Sequence, residues 1–360
     1  MERVDFLRKS RRAAVALALL AALAQLGGAL RGMRTGGAHA PPPAMNAVMV
    51  GLGGFRGILA EALWFRMEQL QLRGRHLEIT QLADWITRLD PHAAEAWVYN
   101  AWNLAYNVSA MMRRPEDRLR WVANGVALLR DDALEWVPDD PRLYRELAWM
   151  YQHKIGASLD SAHGLYKFSL ASLMAPLCDG NGLVAESPAP GVLRGLRDLR
   201  LDPAEMRALQ AQFGPLDWRM PASHALYWGM RGVACSDAES MPASRRAVCH
   251  ALVTALTEQG VFAGDLEDGV WDATPNAALA EGAERFVAET CGMFPREGML
   301  NVYARVLAER IRLMDAEDPG INMKYAQFQK LAPPGFEAVP LGALRGAAGP
   351  PPAFFVPAQK

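Results

Sequence analysis

The sequence has few cysteines, almost no net charge and none of the short motifs that identify common cofactor sites. No Cys-x-x-Cys is present, which argues against a zinc ribbon, a thioredoxin-like centre and covalent c-type haem. A net charge of -1 provides no general positive field, so we expect no nucleic-acid partner. Dinucleotide-binding, Walker, nucleophile-elbow and His-Glu-x-x-His patterns are also missing. We therefore expect neither a familiar enzyme nor a bound cofactor or metal.

The four cysteines leave the redox state open. They are far apart in the sequence, at Cys178, Cys235, Cys249 and Cys291. Their even number is compatible with one or two disulfides in an oxidising compartment. Buried free thiols are an equal alternative, because unpaired cysteine behaves as a small apolar side chain.

An apolar run near the N-terminus predicts a membrane anchor. Residues 13–30 carry no charge and follow a basic segment at 1–12, which contains five Lys or Arg residues. A helix of that length spans about 27 Å, just enough to cross the hydrocarbon of a bilayer. The positive-inside rule then predicts a single-pass protein of the bacterial inner membrane. Its N-terminus would be cytoplasmic and its main domain periplasmic or otherwise extracytoplasmic.

A cleaved signal peptide is the alternative interpretation of the same segment. Ala38-His39-Ala40 forms a possible cleavage site. However, this site lies well beyond the apolar run, and Pro41 directly follows it, which favours retention of the helix. Both interpretations place the main domain outside the cytoplasm.

The remaining chain predicts an all-α protein. After a linker or membrane-proximal segment at 31–55, apolar residues recur at helical spacing, and no stretch alternates long enough to suggest a sheet. Proline and glycine separate the helices. We divide the chain into helical repeats at 56–176, a further helical region at 177–331 and a Pro/Gly/Ala-rich tail at 332–360. We expect the tail to be extended or disordered. The alternative is that Phe354-Phe355 docks the tail onto another surface.

An internal repeat supports this division. Residues 91–102 align with residues 138–149 at a constant offset of 47, with proline, an aromatic residue, alanine and tryptophan coinciding. The second unit reads Tyr144-x-x-Leu147-Ala148-x-x-Tyr151, which resembles the opening of a tetratricopeptide repeat. Residues 56–176 thus resemble three degenerate repeats of that family, the middle one longer than usual.

Two further stretches carry a related resemblance. Residues 53–57 and 81–85 are similar to segments of uncharacterised, membrane-anchored bacterial proteins with such repeats. The resemblance implies a single transmembrane helix followed by an α-solenoid of helix pairs. It brings no activity and no catalytic residue with it.

Stacked helix pairs form concave grooves that bind peptides or other subunits. We therefore predict a scaffold for protein–protein interaction, as part of an envelope or membrane complex. Its candidate partner groove consists of polar and aromatic positions on first helices, namely Tyr99, Asn100, Asn103, Tyr106, Tyr144 and Tyr151.

The C-terminal half provides a competing hypothesis. There, Asp217, Arg219 and His224 lie close together in the sequence, a spacing that suits either acid–base chemistry or a helix cap. An acidic stretch at 265–269 is either a cation site or a solvated loop. An extracytoplasmic enzyme or an envelope-polymer binding protein would use this half.

Overall fold

A computed structural model of the chain describes residues 55–295, 297–315, 317–346 and 353–358. These residues are mostly helical, which confirms the all-α class. The predicted anchor at 13–30 lies outside the described residues. Among the helices within them, none is both long and apolar enough to cross a membrane.

The first six helices follow one another through short connections. They are α1 (Phe55–Leu72), α2 (His76–Leu89), α3 (94–111), α4 (115–136), α5 (141–156) and α6 (His163–Met174). Two of them, α4 and α5, begin with proline in the first turn, where the missing amide proton loses no helical hydrogen bond. Before α5, the Asp140 carboxylate caps the helix by accepting a 2.9 Å hydrogen bond from the Arg142 amide.

Three of these helices contain a π-helical segment. The segments are Asn103–Val108 in α3, Leu128–Ala133 in α4 and Met150–Gly156 in α5. Helical periodicity alone predicts regular helices here, because a widened turn shifts the spacing by only one residue. Such segments are often found at functional sites.

The second half adds eight helices to the described residues. They are α7 (Pro190–Asp198), α8 (Pro203–Phe213), α9 (Pro221–Ala234), α10 (Met241–Thr257), α11 (Ala280–Met293), α12 (Glu297–Leu313), α13 (Ile321–Gln329) and α14 (Leu341–Leu344). Many of the helices pack in pairs, namely α1 with α2, α3 with α4, α9 with α10, and α11 with α12. Helix α5 packs on both α3 and α9. One large apolar core runs from α3 to α12.

The predicted acidic loop is instead part of a β-hairpin. Strand β1 (Val261–Asp265) pairs antiparallel with β2 (Val270–Thr274), so the expectation of no strands was wrong here. Each strand is too short for its alternation to stand out in the sequence. Phe262 is buried and stacks on Trp271 at a centroid distance of 5.7 Å. Glu267 and Asp268 occupy the exposed turn between the strands.

The described part of the tail is ordered and includes two extended segments. Strand β3 (Phe336–Ala338) pairs with β4 (Phe355–Pro357). The rings of Phe354 and Phe355 lie 5.9 and 5.2 Å from that of Phe328, which is fully buried. The two phenylalanines therefore close a small local core.

The four cysteines are free thiols, and Cys249 and Cys291 are buried. Burial raises the pKa of Cys249 to about 12. Of the two alternatives left by the sequence, the structure therefore supports unpaired thiols.

A buried ionic cluster ties the π-helical end of α5 to the start of α6. The Asp160 carboxylate accepts hydrogen bonds from Lys154 Nζ at 2.6 Å, Tyr166 Oη at 3.1 Å and Arg118 Nη1 at 3.1 Å. The side chains of Lys154 and Asp160 are only 7% and 9% exposed. Burial alone would raise the pKa of Asp160, but the bonds from Lys154, the Ala162 amide and Arg118 lower it to about 2.

Replacing this carboxylate is expected to destabilise the protein. Asp160→Asn leaves Lys154 buried without a counter-charge and should lower the free energy of unfolding by about 3 kcal/mol. Because the folded-state pKa is depressed, the stability that Asp160 contributes is present above its unfolded pKa of about 4 and is lost as pH falls towards 2. Denaturant unfolding across this pH range should show the loss in the wild type and a smaller loss in the variant.

Asp268→Asn, at the exposed hairpin turn, is the matched control and should change stability little. Equal stability of the Asp160 variant and the wild type at neutral pH would contradict this account of the cluster.

Candidate functional site

A groove lined by aromatic residues lies where α1, α3 and α5 meet. We call it the aromatic groove; its lining residues are Trp64, Glu95, Val98, Tyr99, Trp102, Arg142 and Glu146. Its volume is about 320 Å³, which is large enough for one or two amino-acid side chains. Helical spacing places the α3 residues on one face, because positions 95, 98, 99 and 102 are three or four residues apart.

Ring contacts hold the walls of the aromatic groove in place. Trp64 and Tyr99 meet edge to face with their centroids 5.8 Å apart. The Tyr99 hydroxyl donates a 2.8 Å hydrogen bond to Oε1 of Gln71 in α1. Trp102 stacks on Tyr106 at 5.6 Å. The faces of these rings are therefore oriented before any ligand arrives.

The ring system continues beyond the aromatic groove onto the second half of α5. The Tyr106 ring lies 5.8 Å from that of His153, and the Tyr106 hydroxyl lies 3.3 Å from His153 Nδ1. His153 in turn stacks on Trp149 at 4.3 Å, and Trp149 is 44% exposed. These rings lie across α1, α3 and α5, and we call them the aromatic strip. Its members are Trp64, Tyr99, Trp102, Tyr106, His153 and Trp149.

The aromatic groove contains an unusual carboxylate. Burial raises the pKa of Glu146 to about 7, although the charge of Arg145 lowers it in part. Its Oε1 is buried and has no hydrogen-bond partner among the described residues. By contrast, Glu95 forms an ion pair with Arg142, which also pairs with Asp140. Glu146 thus contributes an unsatisfied acceptor atom to the lining of the aromatic groove, and a nearby cation would favour its ionised form.

The predicted groove residues do not share one surface. Tyr99 lines the aromatic groove, and Tyr106 lies in the aromatic strip. Asn100 and Asn103 are buried, and the Asn103 side-chain amide donates a 3.1 Å hydrogen bond to the His76 carbonyl.

The remaining two predicted residues, Tyr144 and Tyr151, lie elsewhere. Both are buried on α5: Tyr144 stacks on Trp228, and Tyr151 stacks on His224 at 4.9 Å. Of the seven residues that line the aromatic groove, only Tyr99 was predicted; the six that were missed include Trp64, Trp102 and Glu146. The repeat offset that aligns Trp102 with Trp149 was the available signal for an aromatic surface.

The residues suspected of acid–base chemistry are held in structural roles. The Asp217 carboxylate accepts hydrogen bonds from Arg219 Nε and Nη2 at 2.9 and 2.8 Å, and from the Phe262 amide at 2.9 Å. His224 is fully buried, and its Nε2 lies 2.9 Å from the Trp218 carbonyl. Burial lowers the pKa of His224 to about 4. The two side chains form no hydrogen bond with each other, so the structure favours the structural alternative over acid–base chemistry.

The part of the chain that the structure describes contains no group of three or more His, Cys, Asp or Glu side chains arranged to hold a metal ion. Comparisons with family models, with curated proteins and with solved structures find no match to this chain.

Loss of the Asp217 carboxylate should therefore affect folding. Asp217→Ala leaves the Arg219 guanidinium and the Phe262 amide without their acceptor. We expect the free energy of unfolding to fall by about 3 kcal/mol. Chemical denaturation measures the loss, and hydrogen exchange at the Phe262 amide should accelerate. Asp265→Ala is the control, because Asp265 is exposed in the hairpin that contains Phe262. Equal effects of the two changes would contradict this role for Asp217.

Proposed function

We propose that this protein is a membrane-anchored, extracytoplasmic scaffold whose aromatic groove binds an extended segment of a partner protein. The observation that carries the proposal is the combination of oriented aromatic rings with the unpartnered Glu146 carboxylate oxygen. Aromatic side chains supply much of the binding energy at protein interfaces. The anchor would be residues 13–30, with the N-terminus in the cytoplasm and the described domain on the other side of the membrane.

The proposed architecture is an α-solenoid of tetratricopeptide-like pairs at 56–176. Its pairs would be α1 with α2, α3 with α4, and α5 with α6. The packing of α1 on α2, of α3 on α4 and of α5 on α3 supports this assignment. The longer middle unit is compatible with helices α3 and α4, both of which contain a π-helical segment. In this architecture, the aromatic strip lies along successive first helices, where such proteins bind ligands.

The chemistry of the aromatic groove indicates what the partner segment carries. Tryptophan and tyrosine faces attract cations, and desolvated contacts of this kind are worth about 2 kcal/mol. The buried Glu146 oxygen adds a charge-assisted hydrogen bond to any cation that reaches it. We therefore expect a lysine or arginine side chain, or a terminal amine, to enter the aromatic groove. Flanking apolar side chains would contact Trp149 farther along the aromatic strip.

The anchor suits such a role. Confinement to the membrane surface raises the effective concentration of the scaffold near other membrane proteins. A partner within an envelope complex would then need only modest affinity for the aromatic groove.

A peptide array tests this function with the full-length protein in detergent. Matched octapeptides would carry either lysine or the neutral norleucine at a central position, with the same apolar neighbours. The lysine series should bind at least about fivefold more tightly, because norleucine retains the methylenes but lacks the charge. Trp102→Ala and Glu146→Gln should each remove most of this preference.

Trp85→Ala is the control, since Trp85 is 47% exposed and does not line the aromatic groove. Equal binding of the lysine and norleucine series, or a preference that survives both groove variants, would refute the proposed recognition.

A further inference from the structure

A second cavity lies on the other side of α5, between α4, the α7–α8 connection and α9. We call it the arginine cavity; it has a volume of about 450 Å³. Its apolar lining includes Leu134, Leu193, Leu201, Tyr144 and Trp228. The rings of Tyr144 and Trp228 stack with centroids 6.3 Å apart. Volume and lining are both typical of a small-molecule site.

Four arginines also line the arginine cavity, namely Arg130, Arg197, Arg200 and Arg231. The one carboxylate in the lining is Asp202, which caps α8 through a 2.7 Å hydrogen bond from the Ala204 amide. Within the lining, guanidinium groups therefore outnumber carboxylates by four to one.

Most of these guanidinium groups are held in position from outside the lining. Arg200 pairs with Glu135 at 2.6 Å and Arg231 with Glu205 at 3.0 Å. Arg130 is fixed in the same way by its neighbour Asp131, at 2.6 Å. Anchoring by such pairs reduces the conformational entropy that an arginine loses when it binds an anion.

The indole N–H of Trp228 is poorly satisfied beside the arginine cavity. Trp228 is 1% exposed, and its Nε1 makes no hydrogen bond of standard geometry. The Tyr151 hydroxyl lies close enough to interact with this group. A buried donor with poor acceptor geometry is unfavourable. An oxygen atom of a ligand would be a better partner for it.

One residue of the arginine cavity, Arg200, has a strained backbone conformation. Arg200 has a φ of 55°, the left-handed conformation that glycine usually adopts at the end of a helix. The hydrogen bond from the Leu201 amide to the Leu196 carbonyl, at 2.9 Å, shows that α7 ends in this standard motif. An arginine at this position places its guanidinium against α4, where it contacts the Asp131 carbonyl at 3.2 Å. Strained residues of this kind cluster at functional sites.

We propose that the arginine cavity binds a small amphipathic anion. Its carboxylate or phosphate oxygens would accept hydrogen bonds from the arginines and from the Trp228 indole, and its apolar body would pack on Tyr144, Leu193 and Leu201. This ligand is distinct from the peptide of the aromatic groove, which lies on the other side of α5. Arginine is well suited to the role because its planar guanidinium group can donate two parallel hydrogen bonds to a carboxylate or to a phosphate.

Calorimetric titration of the full-length protein in detergent tests this site with three probes of one shape. These are 2-naphthyl phosphate, 2-naphthoate and the neutral 2-naphthalenemethanol. We expect one-to-one binding of at least one of the two anions. The neutral alcohol should bind about tenfold more weakly or worse, because it forms no charge-assisted hydrogen bonds. A difference between the two anions identifies which oxyanion the site prefers.

Two variants separate binding from folding. Arg200→Gly removes the guanidinium and relieves the left-handed strain, so the melting temperature should stay equal or rise while anion affinity falls about tenfold. Trp228→Phe keeps a ring in place but removes the N–H, and affinity should fall severalfold.

Arg113→Gly is the control, because it deletes the same charge from an exposed loop. It should leave anion binding unchanged. The proposal is overturned if no anionic probe binds, if the neutral alcohol binds equally well, or if Arg200→Gly binds the anions with wild-type affinity.

Discussion

The close packing of α5 against α9 is the constraint that positions α5, the helix that lines both cavities. Small residues make it possible: a Cβ added at Gly232 would lie 3.2 Å from the Cβ of Tyr144, and one at Gly229 would lie 3.0 Å from Val248 in α10. Helix α9 therefore contacts α5 and α10 at once. This contact joins the α1–α6 region to the C-terminal half and brings Trp228 against Tyr144. Larger side chains at the two glycines would force these helices apart.

Helix α5 contributes to both cavities because of helical geometry. Tyr144 and Glu146 are two residues apart, which places their side chains about 200° apart around the helix axis. Tyr144 accordingly lines the arginine cavity, whereas Glu146 lines the aromatic groove. The π-helical segment that follows, Met150–Gly156, carries Lys154 into the buried cluster with Asp160. One helix therefore lines two cavities and supplies the ionic contact between Lys154 and Asp160.

The sequence predicts the helices well and the sites less well. Helix periodicity and proline positions locate α1 to α6 closely, because both are local signals. The strands of the β1–β2 hairpin are too short for their alternation to be recognised, and order in the tail depends on a distant residue, Phe328. Periodicity also cannot separate a groove tyrosine such as Tyr99 from a buried one such as Tyr144. That distinction depends on which helices pack together, and therefore on long-range contacts.

The role we propose for the aromatic groove is to bind a protein on the outer side of the membrane. Photo-crosslinking in intact cells tests it most directly, with benzoylphenylalanine in place of Val98 in the groove or of Asn124, exposed on α4. We expect an adduct with a discrete protein from position 98 and none from position 124. The adduct should fractionate with membranes, disappear in Trp102→Ala and be degraded when protease is added to unlysed spheroplasts. No adduct from position 98, equal adducts from both positions, or an adduct protected from protease would contradict the account.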